Sequence, residues 1–210
     1  MKVYIATVAL LLGAFGADAS ASPTAGQDTG ETRMEEYSAT RPPVGYVQFC
    51  RDNPAECAGS QNGPQRLPLT PARMEELVEI NDLVNNAITP VTDQSLYGIA
   101  EMWAYPYDRG DCEDYVLLKR RLLVQRGWPV STLLITVVRD EKGDGHAVLT
   151  VTTSAGDLVL DNQETEIRFW RDTPYEYLKR QAKGDPNRWV SLRHTDIRPQ
   201  FSVGGTKVNR

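Results

Sequence analysis

The sequence predicts a protein of the α+β class, in which N-terminal helices pack on an antiparallel β-sheet. Up to about Gly127, hydrophobic residues recur with the spacing of amphipathic helices, and from Ser131 onward they follow the two-residue period of strands. A length of 210 residues, with 40% hydrophobic and 24% charged residues, is enough for one domain with a core of ordinary size. Helices followed by a run of strands give the α+β class.

The first residues are typical of a secretory signal peptide. Lys2 is followed by an apolar run at 3–15, and Ala19-Ser20-Ala21 provides small residues for cleavage, so we assign residues 1–21 to the signal peptide. The run is shorter than the roughly 20 residues that a membrane span needs. We therefore expect a periplasmic or secreted protein.

The charge of the chain excludes one class of function. Cleavage after Ala21 would remove one Lys and one Asp, which leaves the net charge at −5. An acidic protein without basic clusters has no electrostatic reason to bind nucleic acid, so we expect no nucleic-acid partner.

Export changes the interpretation of the three cysteines, because an oxidising compartment favours disulfides. Cys50 and Cys57 are seven positions apart around Asn53-Pro54, a loop that closes easily, and they are the natural pair. Cys112 is then left unpaired. An odd thiol that persists in an exported protein often has a use, although a buried cysteine without a role remains the alternative.

The segments before the sheet are predicted as a flexible lead, a packed arm and helices. Small and polar residues indicate the lead, and Thr70-Pro71 supplies an N-cap and a first-turn proline for the longest helix. The predicted segments are the lead at 22–40, an extended arm from Arg41 to Tyr46, and helices at 70–88, 94–103 and 115–125.

The later segments are predicted as an antiparallel meander followed by a short helix. Turns rich in glycine and polar residues separate the strands, and Thr173-Pro174-Tyr175-Glu176 has the form of a capping box. The predicted segments are strands at 131–139, 146–153 and 157–161, a helix at 173–181 and a strand at 188–192, in a domain at 41–198 with a tail at 199–210.

Cys112 stands at the start of a helix, within Gly110-Asp111-Cys112-Glu113-Asp114-Tyr115. With Asp111 as the N-cap, Cys112 takes the first helical position, where unpaired N–H groups and the helix dipole favour a thiolate. The carboxylates of Asp111, Glu113 and Asp114 oppose ionisation of the thiol, so a nearby cation is expected. On residue type alone, an unreactive buried cysteine beside acids that cap the helix is the more common case.

A cysteine nucleophile needs a base, and the base needs a group that orients it. The chain has two histidines: His146 opens a strand, whereas His194 lies among charged residues, where a surface role is expected. Asp161, on the next strand, faces the same side as His146 when the turn between them has an even number of residues. A turn at 155–156 places the two residues roughly 13 Å apart along the strand, and a turn at 152–155 places them opposite each other. Taken singly, a strand-end histidine and a turn-forming aspartate each have an ordinary structural explanation.

These residues resemble the bacterial transglutaminase-like cysteine proteinases, a family that includes the LapG-type adhesin-releasing proteases of the periplasm. The resemblance implies a papain-like, transglutaminase-like fold and a catalytic triad of Cys112, His146 and Asp161. It also implies that Asp111 and Glu113 bind calcium, which agrees with the cation expected from charge. The resemblance covers about residues 46–192 and lies in Cys50 with Cys57, Gly110 to Tyr115 with Lys119, Gly145-His146-Ala147-Val148-Leu149, and Leu160-Asp161-Asn162.

The function implied by the resemblance is that of an exported, calcium-dependent cysteine endopeptidase. Its substrate would be an extended segment of a surface or secreted protein such as a biofilm adhesin, and an inner-membrane regulatory receptor is a further implied partner. Two alternatives stay open: a protein-glutamine acyltransferase, which shares every step up to the acyl-enzyme, and a non-catalytic calcium-binding module. The backbone N–H of Cys112 is the expected oxyanion donor, and the Trp103 indole is a candidate second donor unless it belongs to the core.

Overall fold

The computed structural model describes residues 32–58 and 63–194. The predicted signal peptide at 1–21, the first part of the predicted lead and the predicted tail at 199–210 lie outside these residues. Among the helices of the two described ranges, none is long and apolar enough to cross a membrane.

The described residues form an α+β fold, so the predicted class is confirmed. The helices are α1 (Val44–Asp52), α2 (Pro54–Cys57), α3 (Pro71–Ala87), α4 (Asp93–Leu96) and α5 (Cys112–Gln125). The strands are β1 (Ala39–Thr40), β2 (Thr89–Pro90), β3 (Arg109–Gly110), β4 (Leu133–Arg139), β5 (Gly145–Thr152), β6 (Asp157–Leu160), β7 (Arg168–Phe169), β8 (Glu176–Ala182) and β9 (Asp185–Ser191). Seven of these strands make one antiparallel sheet in the order β1-β9-β8-β4-β5-β6-β7, and β2 and β3 make a short parallel pair.

The main core lies between the helices and one face of the sheet. Helix α5 packs against β5, and α3 packs against α5. Thr70 caps α3 as predicted, because its side chain accepts a hydrogen bond from the backbone N–H of Arg73. Ala147, Leu149 and Val151 of β5 are all buried in this core, which is why β5 is held firmly beneath the start of α5.

A smaller core covers the opposite face of the sheet and includes the N-terminal segment. Met34 is buried there with Val138, Val148, Val159 and Tyr177. Strand β1 pairs with β9 at the edge of the sheet. Residues 32–40 were assigned to the lead, but they pack on the sheet because Met34 has an apolar surface to cover.

The β5–β6 hairpin sets which residues of the two strands lie side by side. Thr153 and Gly156 exchange both backbone hydrogen bonds, so the chain turns at Ser154-Ala155. Leu149 then pairs with Leu160, a register that falls between the two predicted ones. The turn still has an even number of residues, so His146 and Asp161 share one face of the sheet.

The predicted extended arm from Arg41 to Tyr46 is wrong beyond Pro43, because α1 begins at Val44. This helix carries Tyr46 and Phe49 into the main core. A Cβ atom at Gly45 would lie 2.2 Å from Cδ1 of Trp103. The helix therefore approaches the segment before the nucleophile as closely as a glycine allows.

The predicted helix at 94–103 is also wrong in its extent, since α4 ends at Leu96. Gly98 has a φ of 73°, in the left-handed region, and the chain then runs without regular structure. The backbone N–H groups of Met102 and Ala104 donate to the carboxylates of Asp93 and Asp114. The two carboxylates thus accept hydrogen bonds from backbone N–H groups that, in a helix, would donate to backbone carbonyls.

The segment at 173–181, predicted as a helix, forms most of strand β8 instead. β8 lies between β4 and β9 in the sheet, so its backbone pairs on both sides. The Thr173 hydroxyl donates to the carbonyl of Trp170 at 2.7 Å and does not cap a following helix. Pairing with β4 outweighs the local capping signal.

Helix α5 begins at Cys112 as predicted, and two of its basic residues are buried. Asp111 occupies the N-cap position without a capping hydrogen bond from its side chain. Lys119 and Arg120 are buried, and burial lowers the pKa of Lys119 to about 7, against the opposing charge of Asp161.

The disulfide between Cys50 and Cys57 is present, with a Cα–Cα distance of 5.6 Å.

Asp157 anchors the start of β6 to three other parts of the chain. Its carboxylate lies 2.9 Å from Nη1 of Arg180 and 2.7 Å from Nη1 of Arg66, and it accepts the backbone N–H of Met34 at 3.0 Å. Burial by itself would raise the pKa of Asp157, but the charges and hydrogen bonds of these partners outweigh it and lower the pKa. The ion pairs of Asp157 therefore stabilise the fold at pH values above its unfolded-state pKa of about 3.9. This stabilisation is lost as the pH falls through the pKa of Asp157 in the folded protein.

We predict that Asp157→Asn lowers the free energy of unfolding by about 3 kcal/mol at pH 7, because it leaves buried Arg180 without its full countercharge. Urea unfolding followed by circular dichroism at pH 7 and pH 3 measures this, and the difference from wild type should shrink at pH 3. Asp172→Asn, at an exposed position, is the matched control and should change stability little. A loss that is equal at both pH values would contradict the ion-pair explanation.

Candidate active site

Cys112 and His146 line one cleft, an open depression of about 240 Å³. Its lining also includes Pro90 to Thr92 and residues of the β4–β5 turn, namely Asp140, Lys142, Asp144 and Gly145. Helix α5 supplies Cys112 and strand β5 supplies His146, so the packing of α5 on β5 places the two predicted residues in the lining of the same cleft.

The Cys112 side chain is buried at the floor of the cleft, where it is 6% exposed. Its Sγ accepts the backbone N–H of Ala147 at 3.4 Å, and its thiol donates to Oε2 of Glu113 at 3.2 Å. Burial raises the pKa of the Cys112 thiol well above its usual value, and the charges of Glu113 and Asp111 raise it further. The acids therefore oppose the thiolate, as the sequence predicted.

His146 and Asp161 are in direct contact. Nε2 of His146 lies 2.8 Å from Oδ1 of Asp161, and both side chains are buried. Burial by itself would raise the pKa of Asp161, but the hydrogen bond and charge of His146, together with a hydrogen bond from Tyr175, lower it. An ionised Asp161 only accepts hydrogen bonds, so Nε2 carries the proton of a neutral His146 ring.

Gln163 occupies the other side of the imidazole, and the sequence analysis did not identify it. Its Nε2 lies 3.3 Å from Nδ1 of His146, and its backbone N–H donates to Oδ1 of Asp161 at 3.0 Å. In the neutral ring, the single lone pair of Nδ1 accepts this hydrogen bond, so the Gln163 amide occupies the acceptor of the imidazole. The only signal in the sequence is its position two residues after Asp161.

Three buried carboxylates meet beside the thiol. Asp93, Asp111 and Glu113 each place one oxygen within 4.8 Å of the others. Oδ1 of Asp93, Oδ1 of Asp111 and Oε1 of Glu113 are buried oxygens without a hydrogen-bond partner in the described part of the chain. Burial, with the charge of Asp111, raises the pKa of Asp93 to about 6 and that of Glu113 well above its usual value. Hard oxygen ligands that repel one another and lack donors fit a calcium ion.

The structure changes the composition of the predicted metal site. Asp93, which the sequence analysis missed, joins Asp111 and Glu113 because the Asp93 N–H donates to Oδ2 of Asp111 at 3.2 Å. Its only sequence signal was its place after Thr92, which caps α4. Asp114 binds the backbone N–H of Ala104 at 2.8 Å. Asp108, the next acid upstream of Asp111 in the chain, is exposed.

Two other predicted side chains have different partners. The indole of Trp103 donates to Oε1 of Glu101 at 3.0 Å, and its ring is buried in the main core. The Trp103 indole, the candidate second oxyanion donor, thus already donates its N–H to Glu101. His194 contacts the ring of Tyr37 at a centroid distance of 5.5 Å, away from the residues that line the cleft.

Comparison with known proteins places the chain among cysteine proteinases. The model of a family described as bacterial transglutaminase-like cysteine proteinase, BTLCP, matches residues 36–197. A search of curated proteins finds no match.

Solved structures of LapG from Legionella pneumophila are similar to this chain at low identity. The calcium-bound form is 23% identical, with alignment over 65% of this chain and 77% of that chain and a TM-score of 0.49. The EGTA-treated form is 24% identical over 54% and 64% of the two chains, with a TM-score of 0.45. A third structure is 23% identical over 54% and 65%, with a TM-score of 0.44. The last two alignments span just under two thirds of the LapG chains.

We predict that iodoacetamide modifies Cys112 and no other cysteine in the folded protein, because Cys112 lines the cleft and the disulfide protects Cys50 and Cys57. Peptide mass spectrometry should show one carbamidomethyl group on the wild type and none on Cys112→Ala, and Cys112→Ala should melt at nearly the wild-type temperature. Reduction in denaturant before labelling is the control and should expose all three cysteines. Three modified cysteines without reduction would contradict the assignment.

Proposed function

The chain belongs to the bacterial transglutaminase-like cysteine proteinase family and is therefore a cysteine peptidase with a protein substrate, and we propose that Cys112, His146 and Asp161 form its catalytic triad. The observation that carries this proposal is the 2.8 Å contact between Nε2 of His146 and Oδ1 of Asp161, beside a cleft that Cys112 also lines.

The proposed mechanism is acyl transfer. Asp161 holds the proton on Nε2 of His146, so Nδ1 is the atom that accepts the thiol proton once the Gln163 amide has moved off it. The Cys112 sulfur attacks an amide carbonyl, and His146 returns the proton to the leaving amine. A water molecule, deprotonated by His146, then releases the acyl group and regenerates the thiol.

The backbone N–H of Cys112 is the proposed oxyanion donor. It belongs to the first turn of α5, where backbone N–H groups have no carbonyl partner within the helix. The dipole of a 14-residue helix adds partial positive charge at the same point. Both effects favour the negative oxygen of the tetrahedral intermediate.

Calcium is proposed as the ion held by Asp93, Asp111 and Glu113. Their unpaired buried oxygens and their mutual repulsion support a divalent ion with oxygen ligands. When bound, calcium would offset the negative charge that opposes the thiolate and would steady the loop before α5. Backbone carbonyls and water would complete its shell of about 6–8 oxygens.

Export and substrate complete the proposal. A signal-like N-terminus and a disulfide support a periplasmic or secreted enzyme. The open cleft between Pro90–Thr92 and Asp140–Gly145 suits an extended polypeptide segment. We propose a surface or secreted protein, such as a biofilm adhesin, as the substrate, and regulation by an inner-membrane receptor remains an expectation of the family resemblance.

We predict that His146→Ala abolishes cleavage as completely as Cys112→Ala, and that the double variant is no worse, because residues that act as one catalytic unit are not additive. Asp161→Asn should retain more activity than either. The measurement is mass spectrometry of new protein N-termini, after each variant is mixed with a surface-protein fraction from cells that produce the protein.

The same mixture, supplied with a fluorescent primary amine, separates hydrolysis from transamidation. New N-termini that depend on Cys112 support the peptidase, whereas amine incorporated at glutamine without new N-termini would indicate an acyltransferase. Full cleavage by His146→Ala would overturn the triad.

We predict that the protein binds calcium and that Asp93→Asn weakens binding roughly tenfold or more, as expected when an ion site loses one supporting group. Asp111→Ala and Glu113→Ala should weaken both binding and cleavage. Titration calorimetry with calcium chloride measures the affinity, and a saturating ion at 100 times its dissociation constant should stabilise the fold by about 2.7 kcal/mol.

Asp108→Asn is the matched control for this set, because Asp108 is a nearby acid on the exposed surface. Its affinity should equal that of the wild type. No heat of binding up to millimolar calcium, together with cleavage that resists a chelator, would overturn the calcium proposal and leave the triad untouched.

A further inference from the structure

Tyr175 contacts both members of the His146–Asp161 pair. Its hydroxyl donates to Oδ2 of Asp161, and its ring meets the His146 ring edge-on, with a centroid distance of 5.6 Å and an interplanar angle of 66°. The tyrosine does not line the cleft that contains Cys112. With Asp161 it lines a separate small pocket, so it contacts the pair from outside the cleft.

The hydrogen bonds of Asp161 divide between its two oxygens. Oδ1 accepts from Nε2 of His146 and from the backbone N–H of Gln163, whereas Oδ2 accepts from the Tyr175 hydroxyl. A carboxylate that accepts hydrogen bonds on both oxygens cannot rotate without breaking at least one of them. Hydrogen bonds to a charged acceptor are stronger than those between neutral groups. The orientation of the carboxylate, and with it that of the imidazole, depends on the tyrosine.

Tyr175 itself is held by the sheet. The next residue, Glu176, starts β8, pairs with Arg139 of β4 and forms ion pairs with Arg139 at 3.1 Å and Arg193 at 3.0 Å. Thr173, just before Tyr175, bonds to the hydroxyl of Tyr177 at 2.9 Å. Both flanks of Tyr175 are fixed, so its hydroxyl has a defined position.

We propose that Tyr175 is a positioning residue for the peptidase reaction, which acts through Asp161 to hold the His146 ring in its reactive orientation and tautomer. This inference rests on the proposed triad. In the reaction, the Tyr175 proton stays on its oxygen, and burial beside the Asp161 carboxylate raises the pKa of Tyr175. The edge of the ring also shields the bond between His146 and Asp161 from water, which strengthens that bond.

The test uses nitrogen NMR of the full protein labelled at its histidine rings, because the chain contains only two histidines and His194→Gln assigns them. The wild type should show His146 with its proton on Nε2, protected from exchange with water. Tyr175→Phe keeps the ring and loses only the hydroxyl. It should raise the exchange rate of that proton about tenfold, the factor expected for one lost hydrogen bond to a charged group.

Tyr107→Phe is the matched control. It makes the same change at a tyrosine that is 97% exposed and has no part in fixing Tyr175, so this variant should leave the His146 signal unchanged. A Tyr175→Phe protein that is folded by circular dichroism and has the wild-type exchange rate would overturn the proposal.

A second measurement does not need the Tyr175 variant to fold. In the wild type, the hydrogen-bonded Tyr175 hydroxyl should give a downfield proton signal that moves in Asp161→Asn. An unmoved signal would overturn the contact on which the proposal stands.

Kinetics on a peptide that spans the cleavage site then test the role of Tyr175 separately from the role of the triad. Tyr175→Phe should lower kcat about tenfold with little change in KM, and it should have no further effect in an Asp161→Asn background. If Asp161→Asn lowers kcat and Tyr175→Phe does not, this inference alone is wrong. If Asp161→Asn leaves kcat unchanged, the triad itself is wrong and the tyrosine loses its proposed role with it.

Discussion

The register of the β5–β6 hairpin is the constraint on which the candidate site depends. A slip of one residue would turn Asp161 to the opposite face of the sheet and separate it from His146. The turn at Ser154-Ala155 and the ion pairs of Asp157 both act at the start of β6, within seven residues of Asp161 in the chain. Asp157 binds Arg180 of β8 and the backbone of Met34, so the N-terminal segment and the sheet jointly hold this register. Asp157, which does not line the cleft, thereby helps to fix the position of Asp161 relative to His146.

The start of α5 carries the opposite kind of constraint, because its arrangement is costly without a further partner. A thiol and three carboxylates are buried together at a helix N-terminus, and the helix dipole compensates only part of their negative charge. Their orphaned oxygens and raised pKa values share this cause. The cation proposed for this site would reduce the repulsion and favour the thiolate at the same time. The stability of this end of the helix and the reactivity of Cys112 are thus coupled through the same few atoms.

Much of the fold and the principal residues could be predicted from the sequence, because the signals were local. Hydrophobic period separates helices from strands, Thr70-Pro71 marks the start of α3, and the spacing of Cys50 and Cys57 allows their disulfide. The positions of His146 and Asp161 place them on one face of the sheet whenever the turn between them has an even number of residues. The motif around Cys112 also predicted the chemistry of the acids beside it, since neighbours in sequence at a helix start are neighbours in space.

Tertiary structure decided whatever depends on contacts between distant segments. The capping box at Thr173 predicts a helix, but pairing with β4 and β9 makes the segment a strand and places Tyr175 against Asp161. Asp93 reaches Asp111 only because the chain folds back between α4 and α5. From its sequence, Asp93 has the ordinary features of an acid in the first turn of a helix. The sequence alone determined which chemical groups are present and the period of each element, whereas packing decided which groups meet, because burial and strand pairing outweigh local preferences of about 1 kcal/mol or less per residue.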